Sequence, residues 1–221
     1  MKVGIDAVLI GAWCDPSGER ALDVGTGCGV IALILAQRNP EIKIDAIDPD
    51  HDSVVEASEN FRLSYWKERL NCKEFSFAEV LENGKIEYYD NIVSNPPFFN
   101  SGIKEIDNAR LRARHQKSLS LKNLIEGSSQ LLKPEGRLSF IFPTALIEEI
   151  EKTVTGINDM TIKRICHVEM RNGDKPKRTM IEIKKTKKNE NVEETLLRLF
   201  NEKREPTTEY LQLCKDFYLK F

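Results

Sequence analysis

Much of what this 221-residue chain could have been is excluded by what it lacks. No apolar run approaches the ~18–20 residues of a membrane span. The opening "MKVGIDAVLIGAWCD" has one lysine and a short apolar patch, without the longer apolar core and small-residue cleavage site of a signal peptide. Cys14, Cys28, Cys72, Cys166 and Cys214 form no C-x-x-C pair. Their scatter argues against a zinc site or a disulfide framework and for a reducing, cytoplasmic compartment. Neither a metal nor a membrane is expected as a partner. A net charge of −2 excludes a blanket nucleic-acid binder, so any polyanionic partner must be met by a local patch. What is present is 40% apolar and 31% charged residues, an ordinary balance for a soluble domain. The length suits a single domain over 1–221, expected as a monomer.

Apolar runs alternate with helical patterns. "RALDVGTG" reads as a strand entering a glycine turn, and "GVIALILAQRNP" as a helix stopped by Asn39-Pro40. "IKIDAID" is a second strand, and Asp50 or Asp52 caps the helix "SVVEASENFRL". "KEFSF" reads as a third strand, "YYDNIVSN" as a fourth and "RLSFIFP" as a fifth, with helices "LKNLIEGSSQLL" and "ALIEEIEKTVTGI" beside the last. Strands alternating with helices imply a mostly parallel α/β sheet covered on both faces. Near the end, "MTIKRICHVEM" and "RTMIEIKKTKK" leave no room for a crossover helix, so 161–188 is expected to form an antiparallel hairpin. This arrangement resembles that of Rossmann-like methyltransferases. Residues 189–221 read as a charged, weakly amphipathic helical tail.

The glycine turn "LDVGTGCGV" places Gly25, Gly27 and Gly29 between the first strand and its helix. Such glycines let a ligand approach the backbone. The spacing is G-x-G-x-G rather than the dinucleotide G-x-G-x-x-G, and the lysine of a phosphate-binding loop is missing. Asp23 precedes the turn. Asp48 ends the second strand, where a carboxylate can accept both hydroxyls of a ribose. A nucleoside without phosphates fits these features, and S-adenosylmethionine is one.

The stretch "DNIVSNPPFFNSG" ends the fourth strand with a stiff elbow, because proline gives no N–H to a ladder. An adenine amino group is a poor nucleophile, its lone pair being delocalised into the ring. Two fixed acceptors aimed at its N–H bonds favour the charge that develops on methylation. The amide oxygen of Asn95 and the carbonyl of Pro96 supply them, Pro97 stiffens the elbow, and Phe98 offers a stacking face.

Together "DVGTGCG", "SNPPFF" and "RARH" resemble the amino-methyltransferases of the NPPF/NPPY type. The segments "MKVGIDAVLIGAW" and "KDFYLKF" narrow the resemblance to the tRNA1(Val) (adenine-37-N6)-methyltransferase family, in its Bacteroidetes-like form. That family's K-V-G-T-D-G is departed from here at Ile5 and Ala7. The resemblance implies a Rossmann-like class I fold with a mostly parallel seven-stranded sheet and a C-terminal antiparallel hairpin. It implies that Asp23, Gly25, Thr26, Gly27, Gly29 and Asp48 bind S-adenosylmethionine, with Phe77 flanking its adenine and Asn95 touching it. Residues 1–19 are then a lid over the cofactor, and Asn95, Pro96, Pro97 and Phe98 the catalytic motif.

For a tRNA partner, the candidate contacts are Phe99, Arg112, Arg114 and His115 after the elbow, and Lys175, Lys177 and Arg178 in the hairpin. The basic excess from Arg171 to Lys188 suits phosphates. A tRNA loop base is already partly unstacked, so presenting it costs less than flipping one from a duplex. The same elbow serves methylation of DNA adenine, ribosomal guanine and glutamine amide. A cofactor- or RNA-binding scaffold of reduced activity is a further alternative.

Overall fold

The computed structural model describes residues 4–83, 85–96, 119–188 and 191–218. Strand β1 (Arg20–Val24) leads through the glycine turn into α2 (Val30–Arg38), and β2 (Lys43–Asp48) into α3 (His51–Leu63). The α3 cap is Asp50, whose carboxylate accepts the Ser53 N–H at 3.1 Å. Next come β3 (Leu70–Glu74), α4 (Phe77–Asn83), β4 (Tyr89–Ser94), α5 (Leu121–Leu131), β5 (Leu132–Pro143) and α6 (Ile147–Thr155). The hairpin is β6 (Met160–Arg171) with β7 (Arg178–Lys185), followed by β8 (Glu193–Phe200) and α7 (Thr208–Cys214). A helix, α1 (Ile5–Trp13), precedes them all.

The strands form one sheet in the order β3-β2-β1-β4-β5-β7-β6-β8. The β3-to-β5 part is parallel, and β7 is antiparallel to both β5 and β6. Side chains alternate between two apolar layers. Ala21, Ile44, Val93 and Ile141 face α1, α2, α3 and α7, whereas Leu22, Ile47, Ile92 and Phe140 face α4, α5 and α6. All carboxyl ends of the parallel strands therefore open on one edge of the sheet. Because β7 runs the other way, its first residue, Arg178, reaches that same edge opposite Pro143.

Three expectations need correction. The sheet has eight strands, not seven. Residues 193–200 of the supposed helical tail pair with β6 in parallel, and Leu197 and Leu199 enter the core beneath α7. The outward-facing Glu193, Glu194 and Thr195 hide that strand's apolar half in the sequence pattern. The outer side of β8 is itself covered at its end: Thr207 N–H donates to the Leu199 carbonyl at 3.0 Å, and Pro206 bridges Phe200. The third strand stops at Glu74, before Phe77, because Ser76 and Glu79 form a reciprocal capping box that starts α4.

The N-terminal segment forms a packed helix. In α1, Ala7 to Ala12 are all buried, and the helix packs along α2 so closely that a Cβ on Gly11 would lie 3.2 Å from Ile34. Arg38 donates to the Gly11 and Cys14 carbonyls at 2.8 and 2.6 Å, satisfying the last turn of α1. Trp13 is a packing residue: the Arg164 guanidinium lies 4.3 Å from its ring centroid. Arg164 in turn pairs with the buried Glu182, which Arg137 also approaches.

The basic run of the hairpin is divided by β7. Seven residue steps of extended chain, roughly 20–25 Å, separate Arg178 from Lys185.

Candidate active site

The glycine turn lies at the carboxyl edge, where Gly25, Gly27 and Gly29 have φ of +72°, +56° and +84°. Side-chain-bearing residues rarely adopt such angles. Two of these glycines are required for different reasons. A Cβ on Gly29 would lie 2.5 Å from the Phe61 ring, so this position lets α3 close on the turn. A Cβ on Gly25 would meet nothing within 4 Å, so this backbone borders open space.

Gly25 and Thr26 donate their N–H groups to the Ile47 carbonyl at 2.9 and 3.0 Å, which ties the turn to the end of β2. Asp48 completes the tie. One of its oxygens accepts the Gly27 N–H at 3.0 Å and the other the Asp50 N–H at 2.9 Å. Asp23 faces α2, fully buried, and one oxygen accepts from the Thr26 hydroxyl at 2.6 Å and the Ala32 N–H at 3.2 Å. Its other oxygen has no hydrogen-bond partner among the described residues. Burial pushes the Asp23 carboxyl up to about 7, against the pull of those two hydrogen bonds and with a further push from the Asp48 charge. Open space beside Gly25 and a buried, unsatisfied oxygen on Asp23 suit a polar ligand that approaches the backbone. S-adenosylmethionine, with its cationic centres and no phosphate, fits that donor and acceptor set.

The elbow lies beside the turn. Val24 and Ser94 are paired residues of β1 and β4, and the buried Ser94 hydroxyl donates to the Val24 carbonyl at 2.8 Å. Asn95, half-buried, and Pro96, buried, follow directly. The structure thus brings together Asp23, Gly25, Thr26, Gly27, Asp48, Asn95 and Pro96. Pro97, Phe98, Phe99, Arg112, Arg114 and His115 lie outside the described residues. Sequence reading passes over Ser94. The signal is there: a hydroxyl at the last position of an apolar strand needs a partner, and the neighbouring strand end provides one.

Past Asp48 a cavity of about 640 Å³ opens between α4 and α5, lined by Pro49, Glu74, Phe77, Asn123 and Gly127 among others. Phe77 is only 5% exposed, its ring so close to α5 that a Cβ on Gly127 would lie 2.6 Å from it. Phe77 is therefore both core and cavity wall. The polar groups nearest it, Ser76 and Glu79, bond one another at 2.6 Å.

Of the hairpin candidates, Lys175 and Lys177 are exposed at the carboxyl edge. Arg178 instead turns to the N-terminal helix, its Nε donating to Asp6 at 2.9 Å. Among the described residues, no group of three His, Cys, Asp or Glu could hold a metal, and no helix is long and apolar enough to cross a membrane.

Comparison with known proteins agrees with this geometry. Residues 6–155 match the family model described as "Methyltransferase small domain". A "tRNA1(Val) (adenine(37)-N6)-methyltransferase" of Parabacteroides distasonis is 39% identical over 223 residues, covering 100% of this chain and 92% of that protein. One of the same description from Actinobacillus succinogenes is 37% identical, with the same coverage. Among solved structures, a predicted O-methyltransferase from Agrobacterium tumefaciens superposes with a TM-score of 0.71, covering 98% of both chains. At 16% identity that likeness concerns the fold alone. With relatives this similar over its whole length, the chain belongs to the tRNA1(Val) (adenine(37)-N6)-methyltransferase family.

Proposed function

We propose that the protein transfers a methyl group from S-adenosylmethionine to N6 of adenine 37 in tRNA1(Val), in the cytoplasm. The observation that carries the chemistry is the pairing of Val24 with Ser94, which sets the Asn95-Pro96 elbow against the glycine turn. The substrate follows the activity named for relatives aligned over the full chain.

When bound, S-adenosylmethionine supplies an electrophilic methyl group on a sulfonium. The chain's own contribution is to hold its partners and the amino group. Asp23, Gly25, Thr26, Gly27 and Asp48 would bind the cofactor, and the cavity walled by Pro49 and Phe77 is large enough to admit its base. Asn95 Oδ1 and the Pro96 carbonyl accept the two amino N–H bonds, pulling the nitrogen lone pair out of conjugation and favouring positive charge on N6 as the new bond forms. The surplus proton then leaves N6 to water. Pro97 stiffens the elbow and Phe98 stacks on the base. Lys175 and Lys177 meet tRNA phosphates, with Phe99, Arg112, Arg114 and His115 as further contacts.

The test is a reaction of purified protein with S-adenosylmethionine and unmodified tRNA, read by nucleoside mass spectrometry after site-specific fragmentation. N6-methyladenosine at position 37 of tRNA1(Val) is the expected product. Methyl transfer to another RNA or to protein alone would reject the substrate, and no transfer at all would reject the enzyme.

A further inference from the structure

The two ends of α1 are held differently. Its last turn is bound by Arg38, which belongs to α2 and therefore moves with the helix issuing from the glycine turn. Its first turn has no such support from its own cap. The N-cap is Gly4, which has no side chain to satisfy the free N–H groups. Asp6 lies in that first turn, where a carboxylate also complements the helix dipole. Arg178 reaches Asp6 across 172 residues of sequence, Nε donating at 2.9 Å, while its Nη1 donates to the Lys177 carbonyl at 3.2 Å.

The place of this pair in the fold gives it a function. Since α2 starts at the glycine turn on the carboxyl edge, its end at Arg38 lies near the opposite edge. The Arg38 bonds to Gly11 and Cys14 therefore run α1 the same way, with Asp6 on the carboxyl edge of the sheet that also carries the glycine turn. Arg178 sits at that edge because β7 begins there, opposite Pro143 and Val168. The Lys177 carbonyl accepts the Thr144 N–H at 3.2 Å, so the base of the guanidinium is fixed to the end of β5.

We infer that Arg178 is a positioning residue for the cofactor rather than an RNA contact: it fixes the first turn of α1 on the carboxyl edge that carries the glycine turn. This rests on the cofactor reading proposed above. Arginine suits the task because it donates in two directions at once, to Asp6 and to Lys177 O, which a lysine ammonium on a flexible stem does less well. The pair is partly exposed, Arg178 at 40% and Asp6 at 24%, so its effect is modest rather than decisive.

The experiment titrates S-adenosylmethionine calorimetrically into wild type, Arg178→Ala, Arg178→Lys, Asp6→Asn and the double variant. It also measures the salt dependence of tRNA binding and the amide exchange of residues 5–9 without ligand. Arg178→Ala and Asp6→Asn should each weaken the cofactor about three- to fivefold. The double variant should be no worse than either alone, and Arg178→Lys should recover part of the loss. Exchange in residues 5–9 should quicken, with the salt slope for tRNA unchanged. Val154→Ala, in the opposite apolar layer, lowers stability without touching α1 and should leave cofactor affinity at the wild-type value. Wild-type cofactor affinity in Arg178→Ala overturns the inference, whether or not the salt slope falls; a slope lower by about 0.7–0.9 would make Arg178 a phosphate contact instead. Cofactor loss in Val154→Ala equal to that in Arg178→Ala overturns it as well, by making stability the cause. Absence of cofactor binding by the wild type would instead overturn the proposed function itself.

Discussion

The two ends of β7 carry nearly the same residues and do different work. At the far edge, Lys184 pairs with Glu135 at 2.7 Å, and Lys185, 9% exposed, pairs with Glu87 at 3.1 Å and donates to the Leu132 carbonyl at 3.0 Å. Just before β7, at the carboxyl edge, Lys175 and Lys177 are exposed. A count of basic residues treats these groups alike, but the register of one strand separates them. Charge that is neutralised and buried belongs to the fold, whereas solvated charge at the carboxyl edge is available to a polyanion.

If the carboxyl edge is where the chemistry happens, the largest effect belongs to Asn95. Replacing it with alanine removes one aimed acceptor and should lower the single-turnover methylation rate by about 10²–10³ at saturating cofactor. Stability should remain near wild type, because a half-buried residue just past a strand end supports little of the core. An unchanged rate would reduce the elbow to a structural turn.

Asp23 gives the next effect, and its sign is fixed by the raised affinity of the buried carboxyl for its proton. The folded carboxyl titrates near 7 and the unfolded one near 3.8. Between those values the folded state keeps a proton that the unfolded state has lost, so this contribution to stability falls as pH rises through the window and is flat above it. A tenfold difference in proton affinity between the two states corresponds to roughly 1.4 kcal/mol. Chemical denaturation from pH 5 to 7 should show the ligand-free wild type losing stability relative to Asp23→Asn. Parallel profiles for the two proteins would place the Asp23 titration outside this range.

The smallest effects sharpen the comparison directly. Lys185→Ala leaves the Leu132 carbonyl without this donor and should cost about 1–3 kcal/mol in denaturant unfolding, with tRNA binding unaltered. The pair Lys175→Ala and Lys177→Ala should do the reverse. Stability should stay within about 0.5 kcal/mol, while the logarithmic salt slope for tRNA falls by about 0.7–0.9 for each phosphate no longer neutralised. If both sets moved stability and tRNA binding together, the two ends of β7 would not be functionally distinct.

What can be read from the sequence follows from how local each signal is. The glycine turn and the strand-helix alternation of β1 to α3 are written in residues adjacent in the chain, and Asp50 announces itself as a cap by type and place. Placement of the elbow beside the turn follows from the rule that ligands sit at the carboxyl ends of an open parallel sheet. What escapes depends on contacts between distant residues or on two patterns that compete. The S-x-x-E box of Ser76 and Glu79 is masked because "KEFSF" satisfies an apolar strand pattern. β8 is masked because an edge strand shows its polar side to water. The pairing of Arg178 with Asp6 connects opposite ends of the chain and leaves no trace in spacing.

The cover over the end of β8 has a consequence for the molecule in a crowded cell. An outermost strand presents a row of unused N–H and C=O groups, a template on which a foreign or identical chain can extend the sheet without limit. Here the chain turns at Asn201, where the Asn201 carboxamide accepts the Lys203 and Glu205 N–H groups at 2.9 and 3.0 Å, and folds back to occupy the terminal part of that row itself. The segment from Asn201 onward thus blocks further pairing along the terminal part of β8.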